Sequence, residues 1–109
     1  MGILLKGGRV VSSDGVVEMD VRIEGEKIIE VGKNLHLGND NIVDVEGKLL
    51  FPGFIDGHTH FDLHVAGTVT ADDFYTGTRA ALAGGTTTIV DFATQYPGET
   101  LTEGLENWH

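Results

Sequence analysis

Two histidines separated by one residue, in Asp56-Gly57-His58-Thr59-His60, are the side chains whose type and spacing best suit chemistry. Neutral imidazole nitrogen is a good ligand for zinc and similar divalent metals. A hydrolytic metal site needs such ligands held rigid while a water position stays open. On an extended strand, alternation puts Asp56, His58 and His60 on one face and Thr59 on the other, so the two imidazoles converge on one point. Asp56 is then placed to orient a ligand from behind it. An isolated His-x-His pair arises often by chance, so its surroundings decide its meaning.

Those surroundings change character midway. Over the first fifty residues short apolar runs alternate with turn signals: Ile3 to Lys6, a Gly7-Gly8 turn, Arg9 to Val11, then Ser12-Ser13-Asp14-Gly15. Val17, Met19, Val21 and Ile23 recur every second residue with Glu18, Asp20 and Arg22 between them, the pattern of a half-buried antiparallel strand with its polar residues outward. Gly25-Glu26 turns the chain into Lys27 to Val31. After a polar connection from Asn34 to Asn41, Ile42 to Val45 gives another short strand. This half is all-β.

From Leu49 the run Leu49-Leu50-Phe51-Pro52-Gly53-Phe54-Ile55 is continuously apolar, as in strands buried on both faces, and Pro52 moves the start of that strand to about Phe54. The spacing then predicts a helix capped by Thr70, with Asp72 and Asp73 at the positive end of its dipole. Phe74, Thr78, Ala81 and Leu82 form one stripe of it, and Gly84-Gly85 stops it. Thr86 to Ala93 is β-branched and reads as a second buried strand, so Phe54 to Ala93 spells strand, helix, strand, the length of a right-handed parallel crossover. Thr100 with Glu103 makes a capping box for a helix whose apolar positions are Leu101, Leu105 and Trp108. The expected division is 1–50, part of a β-sandwich, and 51–109, the start of an α/β barrel.

Composition excludes several partners. A formal charge of −10 repels phosphate backbones and anionic lipid, so nucleic acid and membrane surfaces are poor partners. The absence of cysteine excludes a disulfide framework and any Cys-ligated zinc or iron–sulfur site. The N-terminal Met1-Gly2-Ile3-Leu4-Leu5-Lys6 lacks the basic and apolar stretches of a signal peptide, and the expected location is the cytoplasm.

The apolar run ending in Pro52-Gly53-Phe54-Ile55-Asp56, the His-x-His pair, the small β domain before it and the β/α unit after it together resemble the amidohydrolase superfamily. More narrowly, Gly67-Thr68-Val69-Thr70-Ala71-Asp72-Asp73-Phe74, Thr76-Gly77-Thr78-Arg79-Ala80-Ala81 and Gly84-Gly85-Thr86-Thr87-Thr88 look like hydantoinases and dihydropyrimidinases. The resemblance implies a β-sandwich beside a TIM-like (β/α)₈ barrel, with His58 and His60 at the end of its first strand as metal ligands. It implies two divalent ions, usually zinc, and a bridging hydroxide that attacks a cyclic amide carbonyl, with a homo-oligomer, a tetramer, as the working enzyme. The family's other ligands are a carboxylated lysine, two further histidines and a proton-shuttling aspartate, all from later strands, so no catalytic group beyond the His pair is expected in these residues. A barrel of this kind takes about 250 residues. The chain is accordingly expected to be an N-terminal fragment, inactive alone.

The loop after the first strand lines the ring-substituent pocket in hydantoinases, which makes Phe61, Leu63, His64 and Val65 candidates for substrate selection. Phe61-Asp62-Leu63-His64 lacks the arginine or glutamate that dihydroorotases and allantoinases carry there, and His64-Val65-Ala66 departs from the usual Pro-Phe-Gly. Two bland readings stand beside these: His64 as a solvated loop residue, and Asp91 as either facing the site or bonding a loop backbone. A non-catalytic scaffold relative of dihydropyrimidinase is the alternative to an enzyme, although such relatives usually lose metal ligands that this chain keeps.

Overall fold

The computed structural model describes residues 2–36 and 38–109, and the chain divides into two units, Met1–Pro52 and Gly53–His109. In the first unit, β1 (Ile3–Ser12), β2 (Gly15–Glu24), β3 (Lys27–Gly32), β4 (Asn41–Asp44) and β5 (Leu49–Leu50) form one sheet in the order β3-β2-β1-β4, with β5 also on β1. The Ser12–Gly15 turn closes an antiparallel β1–β2 hairpin, whereas β4 and β5 lie parallel to successive stretches of β1. Leu4, Val21 and Val45 are its buried apolar residues.

Two features of this unit differ from the sequence reading. Gly7-Gly8 is not a turn between two strands but a bulge inside one ten-residue strand: the β1–β2 register shifts between Leu5 and Gly8, and Gly7 has φ 76°, which glycine adopts without a side-chain penalty. Asp20 does not point to solvent. It is 4% exposed, and its carboxylate accepts from the backbone N–H of Gly7 at 2.8 Å and of Leu35 at 3.0 Å, with Lys6 Nζ at 3.4 Å. The bulge and the connection after β3 each present an N–H with no ladder partner, and the carboxylate satisfies both. These bonds, the one from Gly7 first, hold the Asp20 pKa below the ordinary aspartate range against the opposing effect of burial. Arg22 fastens the same connection by bonding Asp40, Glu30 and the His36 carbonyl.

In the second unit, β6 (Phe54–Thr59) and β9 (Thr86–Asp91) pair in parallel, with Asp56 opposite Ile89 and Thr59 opposite Asp91. Between them lie a hairpin of β7 (His64–Val65) and β8 (Thr68–Val69) and then α1 (Phe74–Ala83). The hairpin turns on Ala66 and Gly67, both at positive φ. The cap of α1 is Asp73, not Thr70. Its carboxylate accepts from the Thr76 N–H and hydroxyl, which lower its pKa in that order, and the Thr76 hydroxyl accepts from the Asp73 N–H. Thr70 instead ties the loop, its hydroxyl accepting from the Leu63 N–H at 3.0 Å while its own N–H bonds the Leu63 carbonyl.

The buried point of α1 is Gly77, where the Phe61 ring lies so close that an added Cβ would collide with it, whereas Leu82 on the expected stripe is 61% exposed. The Thr100–Glu103 capping box forms as expected and starts α2 (Leu101–Trp108). The strands β6 and β9 are less covered than their composition predicts: Ile55 is 70% and Val90 53% exposed. Among the described residues α1 packs on β9 and Trp108 of α2 reaches Asp91, too little to bury both faces.

Candidate metal centre

The pair His58 and His60 sits at the C-terminal end of β6 and just beyond it. Their Nε2 atoms lie 3.0 Å apart and their ring centroids 5.0 Å apart at 72°. Thr59, between them, points the other way and donates its hydroxyl to Asp91 at 2.6 Å. The alternation of a strand therefore brings both imidazoles to one point.

Two nitrogens bound to one zinc ion at about 2.1 Å each can be at most about 4 Å apart, so a 3.0 Å separation suits two ligands of a single ion. Without an ion, one Nε2–H would donate to the other nitrogen. The donor set is also right, two imidazoles exposed at a strand end. Among the described residues no third His, Cys, Asp or Glu joins the pair to make a larger cluster. Asp56 lies one turn of the pleat before His58, but its carboxylate accepts from the His58 backbone N–H at 3.1 Å and not from a ring nitrogen.

An aromatic neighbour of both rings comes from the end of β9 and was not anticipated. The Phe92 ring centroid is 4.3 Å from that of His58 and 5.2 Å from that of His60, so one aromatic face backs both imidazoles. No local pattern signals this, because the contact depends on the parallel register of strands more than thirty residues apart. Asp91, which the sequence leaves open between site and structure, bonds Thr59, the Phe61 N–H at 3.2 Å and the Trp108 indole N–H at 3.0 Å.

The four loop candidates separate. Phe61, Leu63 and His64 line a hollow of about 190 Å³ together with Phe92, Tyr96 and Trp108. Val65 lies on the adjoining concavity of the β7–β8 hairpin. Phe61 also packs edge-on against Phe74, and the His64 carbonyl accepts from the Tyr96 hydroxyl at 2.8 Å.

Residues 49–107 match the model of the Amidohydrolase family. The D-hydantoinase of Geobacillus stearothermophilus is 45% identical over 106 residues, covering 97% of this chain and 22% of that protein. The dihydropyrimidinase of Dictyostelium discoideum is 47% identical over 107 residues, covering 97% of this chain and 21% of that protein. The crystal structure of dihydropyrimidinase from Brevibacillus agri superposes with a TM-score of 0.90 at 43% identity, over 100% of this chain and 24% of that one. The chain thus spans less than a quarter of the length of these relatives.

Proposed function

The chain belongs to the amidohydrolase family, and we propose that it forms the N-terminal part of a metal-dependent hydrolase that opens the cyclic amide C–N bond of hydantoins or dihydropyrimidines. The observation that carries this reading is the 3.0 Å approach of His58 Nε2 and His60 Nε2 at the end of a strand. Similarity to D-hydantoinases and dihydropyrimidinases along nearly the whole chain supports a cyclic amide as the substrate class.

In this reading residues 1–50 belong to a β-sandwich and 51–109 begin a TIM-like barrel, whose later strands cover the apolar faces of β6 and β9. His58 and His60 hold one divalent ion of a pair, most suitably zinc. Bound there, divalent ions would supply Lewis acidity toward the amide carbonyl and would lower the pKa of water, so that a nucleophile is available near neutral pH. Phe61, Leu63 and His64 shape the hollow that reaches Phe92, the ring behind the imidazoles, and with Val65 they select the ring substituent. The working enzyme is a cytoplasmic homotetramer.

The test is ring opening of hydantoin and of a dihydropyrimidine by the intact polypeptide, before and after chelation. Hydrolysis that a chelator abolishes and zinc restores is the expected result. An intact protein that binds metal yet opens neither ring is a scaffold, and the catalytic reading is then wrong.

A further inference from the structure

Asp91 and Phe92, at the end of β9, adjoin the histidine pair, Asp91 through bonds to Thr59 and Phe61 and Phe92 through its ring. We propose that they are the positioning residues for His58 and His60, a role that rests on the metal reading above.

Asp91 brackets His60. Its Oδ1 accepts from the hydroxyl of Thr59, the residue before His60, at 2.6 Å and from the N–H of Phe61, the residue after it, at 3.2 Å. The Phe92 N–H adds a bond to the Thr59 carbonyl at 3.2 Å. Three hydrogen bonds, one of them the last ladder bond of the β6–β9 pair, therefore tie Thr59 and Phe61, on either side of His60, to the end of β9. The other carboxylate oxygen is fixed by Trp108 from α2. Backbone alone leaves the imidazole torsions free. Phe92 restricts those, because its ring lies against both imidazoles, tilted 33° to His58 and 39° to His60. In many metal sites a histidine is oriented by a carboxylate on its other ring nitrogen. Among the described residues no carboxylate makes such a bond here, and the aromatic face with the bracketed backbone takes that part.

The experiment measures Co²⁺ affinity and the visible Co²⁺ spectrum of the intact protein in a set of variants. Asp91→Ala and Phe92→Leu are each expected to weaken binding about 10–100-fold and to alter the spectrum. Asp91→Asn keeps an acceptor for Phe61 and Thr59 but sets an amide NH₂ against the Trp108 indole N–H. Combining it with Trp108→Phe removes that clash, and the double variant should return to the affinity and spectrum of Trp108→Phe alone. If Asp91→Ala does not fold, Phe92→Leu and Thr59→Val carry the same comparison. Wild-type affinity and spectrum in Phe92→Leu and in the Asp91 or Thr59 variants would overturn the proposal, as would a double variant that binds no better than Asp91→Ala. His58→Ala separates the two ideas: if it releases the ion while the Asp91 and Phe92 variants do not, only the positioning role fails. If His58→Ala retains the ion as wild type does, the metal reading and the positioning role fall together.

Discussion

Thr59 Oγ1 donates to Asp91 Oδ1 at 2.6 Å, joining the end of β6 to the end of β9 between the two histidines. A hydrogen bond to a charged acceptor contributes about 1.5–3 kcal/mol, and partial exposure places this one near the lower end. Thr59→Val should therefore speed amide exchange at Phe61 and Phe92, whose N–H groups bond Asp91 and Thr59, by roughly tenfold. Unchanged exchange at both amides would show that the strand ends are held by something else.

Asp20 makes the first unit sensitive to acid. Its pKa is lowered in the folded state, so its contribution is complete above the ordinary aspartate pKa of about 3.9 and disappears as pH falls through the lower folded value. Asp20→Ala leaves the Gly7 and Leu35 N–H groups without their acceptor and should cost about 1–3 kcal/mol at neutral pH. The gap between wild type and Asp20→Ala should narrow below about pH 3.5. Denaturation at several pH values checks this, and a gap that widened in acid would contradict the assignment.

Gly77→Ala pits two effects against each other. Alanine is the better helix former by up to about 1 kcal/mol. The added methyl meets the Phe61 ring, and such overpacking costs about 1–3 kcal/mol. The clash wins, so the variant should be destabilised and Phe61→Leu in the same chain should recover part of the loss. A more stable Gly77→Ala would show that Phe61 moves freely.

What was legible in the sequence was what local pattern encodes. The Ser12–Gly15 hairpin, the Thr100–Glu103 capping box and the strand-helix-strand order from Phe54 follow from turn chemistry, cap spacing and periodicity. So does the convergence of His58 and His60, since two residues of one strand two apart must share a face. What escaped depends on distant partners. Asp20 has the outward position of an alternating strand, and it is buried because a bulge at Gly7 and a loop at Leu35 both need an acceptor. Thr70 and Asp73 are both cap-forming types, Asp the stronger, and the loop bond to Leu63 engages Thr70 elsewhere. Phe92 looks like any strand residue until the register of β6 on β9 brings it under the imidazoles.

A polypeptide of these 109 residues alone should open no hydantoin or dihydropyrimidine ring. It offers one converging pair, His58 and His60, and the described residues add no third metal-binding side chain to it. A single ion on two ligands is held weakly, and nothing bridges it to a second. Robust zinc-dependent turnover by this polypeptide as a monomer would refute that count.

The most direct test of the central claim is the metal content of the intact protein, measured by elemental analysis beside His58→Ala and His60→Ala. The account predicts about two divalent ions per subunit in the wild type, and loss of bound metal together with hydrolysis in each variant. Wild-type metal content with full activity in either variant would contradict it.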